Sequence, residues 1–336
     1  MLLSPRFQNN VALSVVFLLY GAGIGLCCSE NWALNLLGIV GLMEALLLSA
    51  TLTHELIHGN LFKTHRSLNV FWGQFMTHLN GACYVPWPAL VEHHFNHHLY
   101  HVDFVGFDVA AYFKALPPWV RRCYMALEWL YFPLLEFELR WRLILLPFLT
   151  AGKMAWKVRT ALLMLIRTTA FGLLAWICLK ALVLYGVAYI SFVNLMRFAD
   201  AFHHTYDYAI VQQPIPSRDR QYEQAHTFSN LISTQVPSLN LLLLNFGYHN
   251  AHHHAMSCPW HDLPQLHATL YGQPAPNVLP LATLVGNYHR FRIQRLCSGQ
   301  GESHPDLEGS ALDSFTGGIA VSFLTPPSAS VLSVYS

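Results

Sequence analysis

Residues 93–101 read HHFNHHLYH and place five histidines within nine positions. Three other segments share this character: HELIH at 54–58, DAFHH at 200–204 and HNAHHH at 249–254. The pattern H-x-x-H-H occurs twice, at His94/His97/His98 and at His249/His252/His253. Helical residues three and four apart share a face, so these sets and the pair His54/His58 can each aim two or three imidazoles at one point. A catalytic zinc takes about three protein ligands and a water. Eight histidines at ligand spacing are too many for one ion and fit two. An imidazole set without sulfur suits iron, zinc, copper or nickel. HELIH alone also matches the H-E-x-x-H pattern of membrane zinc proteases, with Glu55 as general base, but that reading leaves the clusters at 93–98 and 249–254 without a purpose. A non-catalytic metal transporter or store is a third reading, and metal content separates the three.

The elements that must carry these clusters belong in a bilayer. The chain has 336 residues, 54% of them hydrophobic and only 11% charged, against roughly 25% charged in soluble domains. A net charge of +1 gives no basic surface for nucleic acid. Seven scattered cysteines without a C-x-x-C pair support neither a disulfide framework nor a thiolate zinc site. Stretches at about 11–28, 32–53, 160–179 and 181–196 are long and apolar enough to span. The second starts too soon after the first for a cleaved signal peptide. Short connections at 29–31 and near Lys180 make two hairpins, so both chain ends and segment 54–159 share one side. That segment carries ten Lys/Arg and the two connections carry one, which points to the cytoplasm. Within it, 68–90 and 124–149 are apolar but interrupted by Pro or charge, and are expected to lie on the interface; fifth and sixth spans are the alternative. From about 298 the chain is rich in Ser, Gly and Pro and is expected to be a disordered tail over 298–336. The expected fold is all-α: four spans in two hairpins, with a cytosolic helical cap where the four clusters meet.

The set H-x-x-x-H, H-x-x-H-H, H-x-x-H-H, with spans between, resembles the membrane fatty acid desaturase superfamily. The likeness runs through HELIHGNLF, through HHFNHHLYH with the downstream Asp103 and Asp108, and through NFGYHNAHHHAMSCPWHDLPQL. It implies a desaturase-like membrane domain over 1–297 in which two non-haem irons, held by His54, His58, His94, His97, His98, His249, His252 and His253, activate O2. The implied reaction is desaturation of a fatty acyl chain or similar long apolar substrate. Hydroxylation of an apolar lipid, terpenoid or polyketide at the same centre is the alternative. His93 and His101 are read as neighbours rather than ligands. His249 stands where front-end desaturases have Gln, which disfavours that subclass. With no recognisable cytochrome b5 segment, electrons are expected from a separate cytochrome b5 or ferredoxin. The expected location is the endoplasmic reticulum membrane in a eukaryote, or the inner membrane in a bacterium.

Similar enzymes have a further ligand just after the last span, often preceded four residues earlier by an Asn that holds a water. Here Asp200 precedes His204 by four, and helical side chains at i and i+4 share a face, so His204 is expected as ninth ligand, Asp200 as a group that holds a water or stands behind the metal, and His203 about 100° aside. Two charges fall inside spans. Glu44 lies ten residues before His54, about 15 Å deep at ~1.5 Å per residue, and Arg167 lies in the third span. Such charges are usually paired or functional, so the two are expected to face each other or Glu44 to line the substrate path. Of the isolated histidines, His226 and His261 are the first candidates for contacts behind the metal.

Overall fold

The computed structural model describes residues 4–211, 213–272, 275, 277–298, 312–319, 324–328, 331 and 333. Its helices are α1 (Pro5–Cys27), α2 (Trp32–Ile57), α3 (Arg66–Asn80), α4 (Trp87–Tyr100), α5 (Val109–Ala115), α6 (Pro118–Trp129), α7 (Leu134–Leu149) and α8 (Met154–Ala201), followed by α9 (Arg220–Ala225), α10 (His249–His254), α11 (Leu263–Tyr271), α12 (Leu281–Arg290) and α13 (Arg295–Ser298).

Among the described residues three helices, α1, α2 and α8, are long and apolar enough to cross a membrane. Segments 68–90 and 124–149 break into shorter helices at Gly81 and Pro133. α1 and α2 cross closely because Gly23 and Gly38 face each other. A Cβ on Gly38 would lie 2.8 Å from the Gly23 carbonyl oxygen, so only small residues fit this crossing. The Asn31 side chain caps α2 by accepting from the Ala33 N–H at 2.9 Å.

The 48 residues of α8 are not one rod. Cys178 has extended backbone, φ −156° and ψ 93°. The rings of Phe171 and Tyr185, on either side of it, have centroids 5.3 Å apart, whereas fourteen residues of straight helix would separate them by about 21 Å. The chain therefore doubles back at Cys178, two residues before the expected connection. Lys180 Nζ donates to the Ser29 carbonyl at 2.6 Å, which sets this turn beside the α1–α2 turn. At the opposite end, both limbs reach the last turn of α3: Arg167 donates to the His78 carbonyl, and the Tyr189 hydroxyl to that of Asn80 at 3.0 Å.

Arg167 thus meets backbone carbonyls and the Phe171 ring, not Glu44. Glu44 has no ion pair among the described residues and does not line the cavity beside the histidines, so neither expected role for it is found. α2 is buried all round from Ala45 to Ile57, and Glu44 lies just before that stretch.

The fold is mostly helical but not all-α. Asp103–Val105 (β1) pairs in parallel with Tyr208–Ile210 (β2), Phe104 opposite Ala209. This small ladder ties the end of α4 to the chain leaving α8. The C-terminal region differs from its expectation where it is described. Phe315 and Leu324 are buried, the Gly318 N–H donates to the Ala201 carbonyl at 2.7 Å, and the Thr325 hydroxyl donates to the Phe104 carbonyl at 3.0 Å. Short apolar positions between the Ser, Gly and Pro residues are enough to pack it down. The rest of 298–336 lies outside the described residues.

Candidate metal centre

α4 follows its cap residue Pro86, carries Pro88 in its first turn and is stopped by His101 in left-handed conformation. His94 and His98, four apart, share one face. His97 lies about 60° around the helix from His94. α10 is only six residues long, yet it is rigidly mounted: the Asn250 amide donates to the Thr227 carbonyl at 2.6 Å, and its oxygen accepts from the Ser229 hydroxyl at 2.8 Å. α2 delivers His54 and His58 from its last turn and C-cap.

These elements gather nine histidines into two groups. His54, His58, His94, His98 and His252 form one; His97, His204, His249 and His253 form the other. Within each group, one nitrogen per ring lies within 4.8 Å of all the others. The two H-x-x-H-H segments are used in opposite senses. From α4 the outer pair, His94 and His98, enters the first group and His97 the second. From α10 the outer pair, His249 and His253, enters the second and His252 the first.

The Nε2 atoms converge. His58 to His94 is 2.7 Å, His94 to His98 is 3.2 Å and His98 to His252 is 3.2 Å. In the other group His204 stands 3.2 Å from His97 and 2.7 Å from His249. Imidazoles sharing an ion at about 2.1 Å have neighbouring nitrogens about 3 Å apart, so the spacing fits ligation. Two further atoms fit it as well: His54 Nε2 and His253 Nε2 are buried without a hydrogen-bond partner. Burial holds the imidazoles of His94, His98, His204, His249, His252 and His253 well below their ordinary pKa, and that of His58 at about 3. Neutral rings keep a lone pair for a cation. The donor set therefore suits two ions.

Carboxylates stand behind the rings. His97 Nδ1 lies 3.2 Å from Asp103 Oδ1 and 3.0 Å from the Val102 carbonyl oxygen. Burial pulls this imidazole down, but Asp103 and Val102 outweigh it, and its pKa is raised. Glu223, on α9, accepts from His253 Nδ1 at 3.1 Å and lies close enough to His98 to offer an oxygen of its own. Such partners fix ring orientation and tautomer. Asp103→Ala is expected to weaken metal retention about 10- to 100-fold, read as faster metal loss under dialysis against a chelator; unchanged retention would refute this role for Asp103.

Glu55 joins neither group, although its Oε1 lies 3.6 Å from His54 Nδ1. Its Oε2 accepts from the Trp260 backbone N–H at 3.0 Å and from the Asn60 amide at 3.4 Å, a structural tie in place of the general-base position the zinc-protease reading needs. His93 Nε2 donates to the Pro326 carbonyl at 2.8 Å, and His101 faces Glu223 at 3.6 Å; neither joins a group.

His203 and His204 do part company, though not for the reason of helical register. α8 ends at Ala201, so Asp200 and His204 share no helical face. His204 is held by a bridge to Thr227 and by the Tyr206 ring stacked 4.2 Å away. His203 stacks on His249 at 3.9 Å and bonds Asn230 Oδ1 at 2.6 Å. Asp200 Oδ1 approaches His203 Nδ1 at 3.6 Å and lines the same cavity as His97, His204 and His249. His226 stacks on Tyr222 at 4.0 Å and His261 meets Asp262 at 2.9 Å; both stand apart from the groups. Sequence reasoning missed Glu223 and Asn230. Each lies in a stretch with no repeated spacing, so no local pattern marked them.

The cavity beside the histidines is lined by Ala50, Phe192, Val193 and Met196 and also by Glu136, Arg140 and Arg197. The Arg197 guanidinium is matched by Glu128 at 2.8 Å and Glu136 at 3.0 Å, all three buried.

No curated protein and no solved structure matches the chain. The profile described as fatty acid desaturase matches residues 30–284. With that match over most of its length, and a histidine-rich site able to hold metal within it, the chain belongs to the fatty acid desaturase family.

Proposed function

We propose that this oxidoreductase carries out O2-dependent desaturation of a fatty acyl chain or similar long apolar substrate at two irons. One iron is assigned to His54, His58, His94, His98 and His252, the other to His97, His204, His249 and His253. The observation that carries the reading is the convergence of these nine imidazoles on two adjacent points at the wall of a cavity lined in part by apolar side chains. The irons supply the activation of O2 that lets hydrogen be taken from an unactivated C–H bond. The chain's own residues do the rest. Ala50, Phe192, Val193 and Met196 give a hydrocarbon a dry bed. Asp103 and Glu223 keep His97 and His253 in the tautomer whose Nε2 is free. Asp200 is assigned to steady His203 and hold a water at the cavity wall.

The membrane arrangement proposed is four spans, α1, α2 and the two limbs of α8, with the histidines at the cytoplasmic boundary. The fold-back at Cys178 and the Lys180–Ser29 bond support it. Electrons come from a separate cytochrome b5 or ferredoxin, and the membrane is the endoplasmic reticulum or a bacterial inner membrane according to the host.

The test is expression in a lipid-rich host and comparison of extracts by mass spectrometry. A long-chain lipid lighter by two hydrogens is the expected product. One heavier by an oxygen replaces desaturation with hydroxylation. Unchanged extracts from iron-loaded protein supplied with a donor overturn both.

A further inference from the structure

A second, smaller cavity adjoins the one at the metal centre. It is walled by Phe107, Val109, Leu139, Leu143 and Leu146. Three residues, Val105, Leu324 and Thr325, line both cavities, so a single layer of side chains divides them. That layer is fixed from the metal side. Pro326, beside it, accepts from His93 on α4, the helix that also carries His94, His97 and His98. The Ser328 hydroxyl bonds the Glu92 carboxylate of the same helix at 2.8 Å.

The polar side chains lining the second cavity among the described residues, Arg142 and Thr325, are each already engaged within the protein. The Arg142 guanidinium at its rim donates through Nε to Glu138 at 2.7 Å and lies over the rings of Phe107 and Tyr112 at 4.9 and 4.6 Å. The Thr325 hydroxyl is given to the Phe104 carbonyl. A headgroup or carboxylate would have to compete with Glu138 for Arg142, whereas a hydrocarbon would shed water against the leucine, valine and phenylalanine walls. α7 forms one wall with buried Leu139 and Leu143 and exposes Trp141, Leu145, Phe148 and Leu149 on its other side.

We propose that this chamber receives the methyl-terminal end of the substrate chain, and that Leu324 with Val105 is the partition deciding how much chain passes beyond the metal centre. The proposal rests on the reading of the site as one for a long apolar substrate.

The test uses full-length protein in detergent and a long-chain fatty acid bearing a diazirine at its methyl end, with photolabelled residues mapped by mass spectrometry. The parent is expected to carry label in the chamber, at Leu143 or Leu146, as well as beside Phe192 and Met196. Leu146→Trp, which fills the chamber from α7, should lose the chamber label and keep the other, which also reports an intact fold. Leu324→Ala, which thins the partition, should shift label toward the chamber. Label confined to the metal-side cavity in the parent and both variants overturns the chamber and leaves the site reading standing. Label in neither cavity overturns both.

Discussion

His252→Ala protein is expected to purify with less iron than the parent's approximately two ions per chain, one for each histidine group, and to have no turnover. His252 Nε2 sits 3.2 Å from that of His98, and the ring is buried, so its loss opens one ion's shell inside a site that water cannot repair at leisure. The adjacent pair 203/204 supplies the control. His204→Ala removes the nitrogen between His97 and His249 and should lose both iron and activity. His203→Ala removes a ring that bonds Asn230 and stacks on His249, and should keep most of both. Iron content by elemental analysis and turnover on the same samples decide the matter. A fully active parent with one zinc and no iron would end the di-iron reading, and the reverse behaviour of the pair would end the assignment of His204.

The second large effect concerns stability. Arg197 is buried between Glu128 and Glu136 at 2.8 and 3.0 Å. Removing one partner of such a pair leaves a charge in a medium that cannot solvate it, at about 3–5 kcal/mol, whereas replacing the whole group by neutral side chains of similar size is often close to neutral. Arg197→Met is therefore expected to lower the melting temperature in detergent by on the order of 10 °C, because it strands two carboxylates. Adding Glu128→Gln and Glu136→Gln to Arg197→Met should restore most of the loss. If the single variant melts with the parent, or the triple variant melts as low as the single one, the triad does not act as a unit.

Eight of the nine histidines in the two groups are marked in the chain before any folding is known, because i, i+3 and i, i+4 spacing is a property of near neighbours; His204 is indicated only through the resemblance. The periodicity of α2 and α4 needs only the helix itself. The apolar runs that became α1, α2 and the limbs of α8 are legible for the same reason, as each is one uninterrupted stretch. What the spacing leaves open is which ring serves which point. His97 departs from His94 and His98, and His252 from His249 and His253, because α4 and α10 meet across the site and each presents two faces to it. That division depends on where Asn250 is anchored, by Thr227 and Ser229, and those residues lie some twenty positions away. Glu223 and Asn230 became part of the site through the same long-range packing. The C-terminal segment, polar enough to read as a tail, was drawn onto Phe104, Glu92 and His93 by groups more than two hundred residues distant. Local periodicity marked eight of the histidines that gather here; contacts between segments far apart in sequence brought in His204 and decided their partners, their division into two groups and the wall behind them.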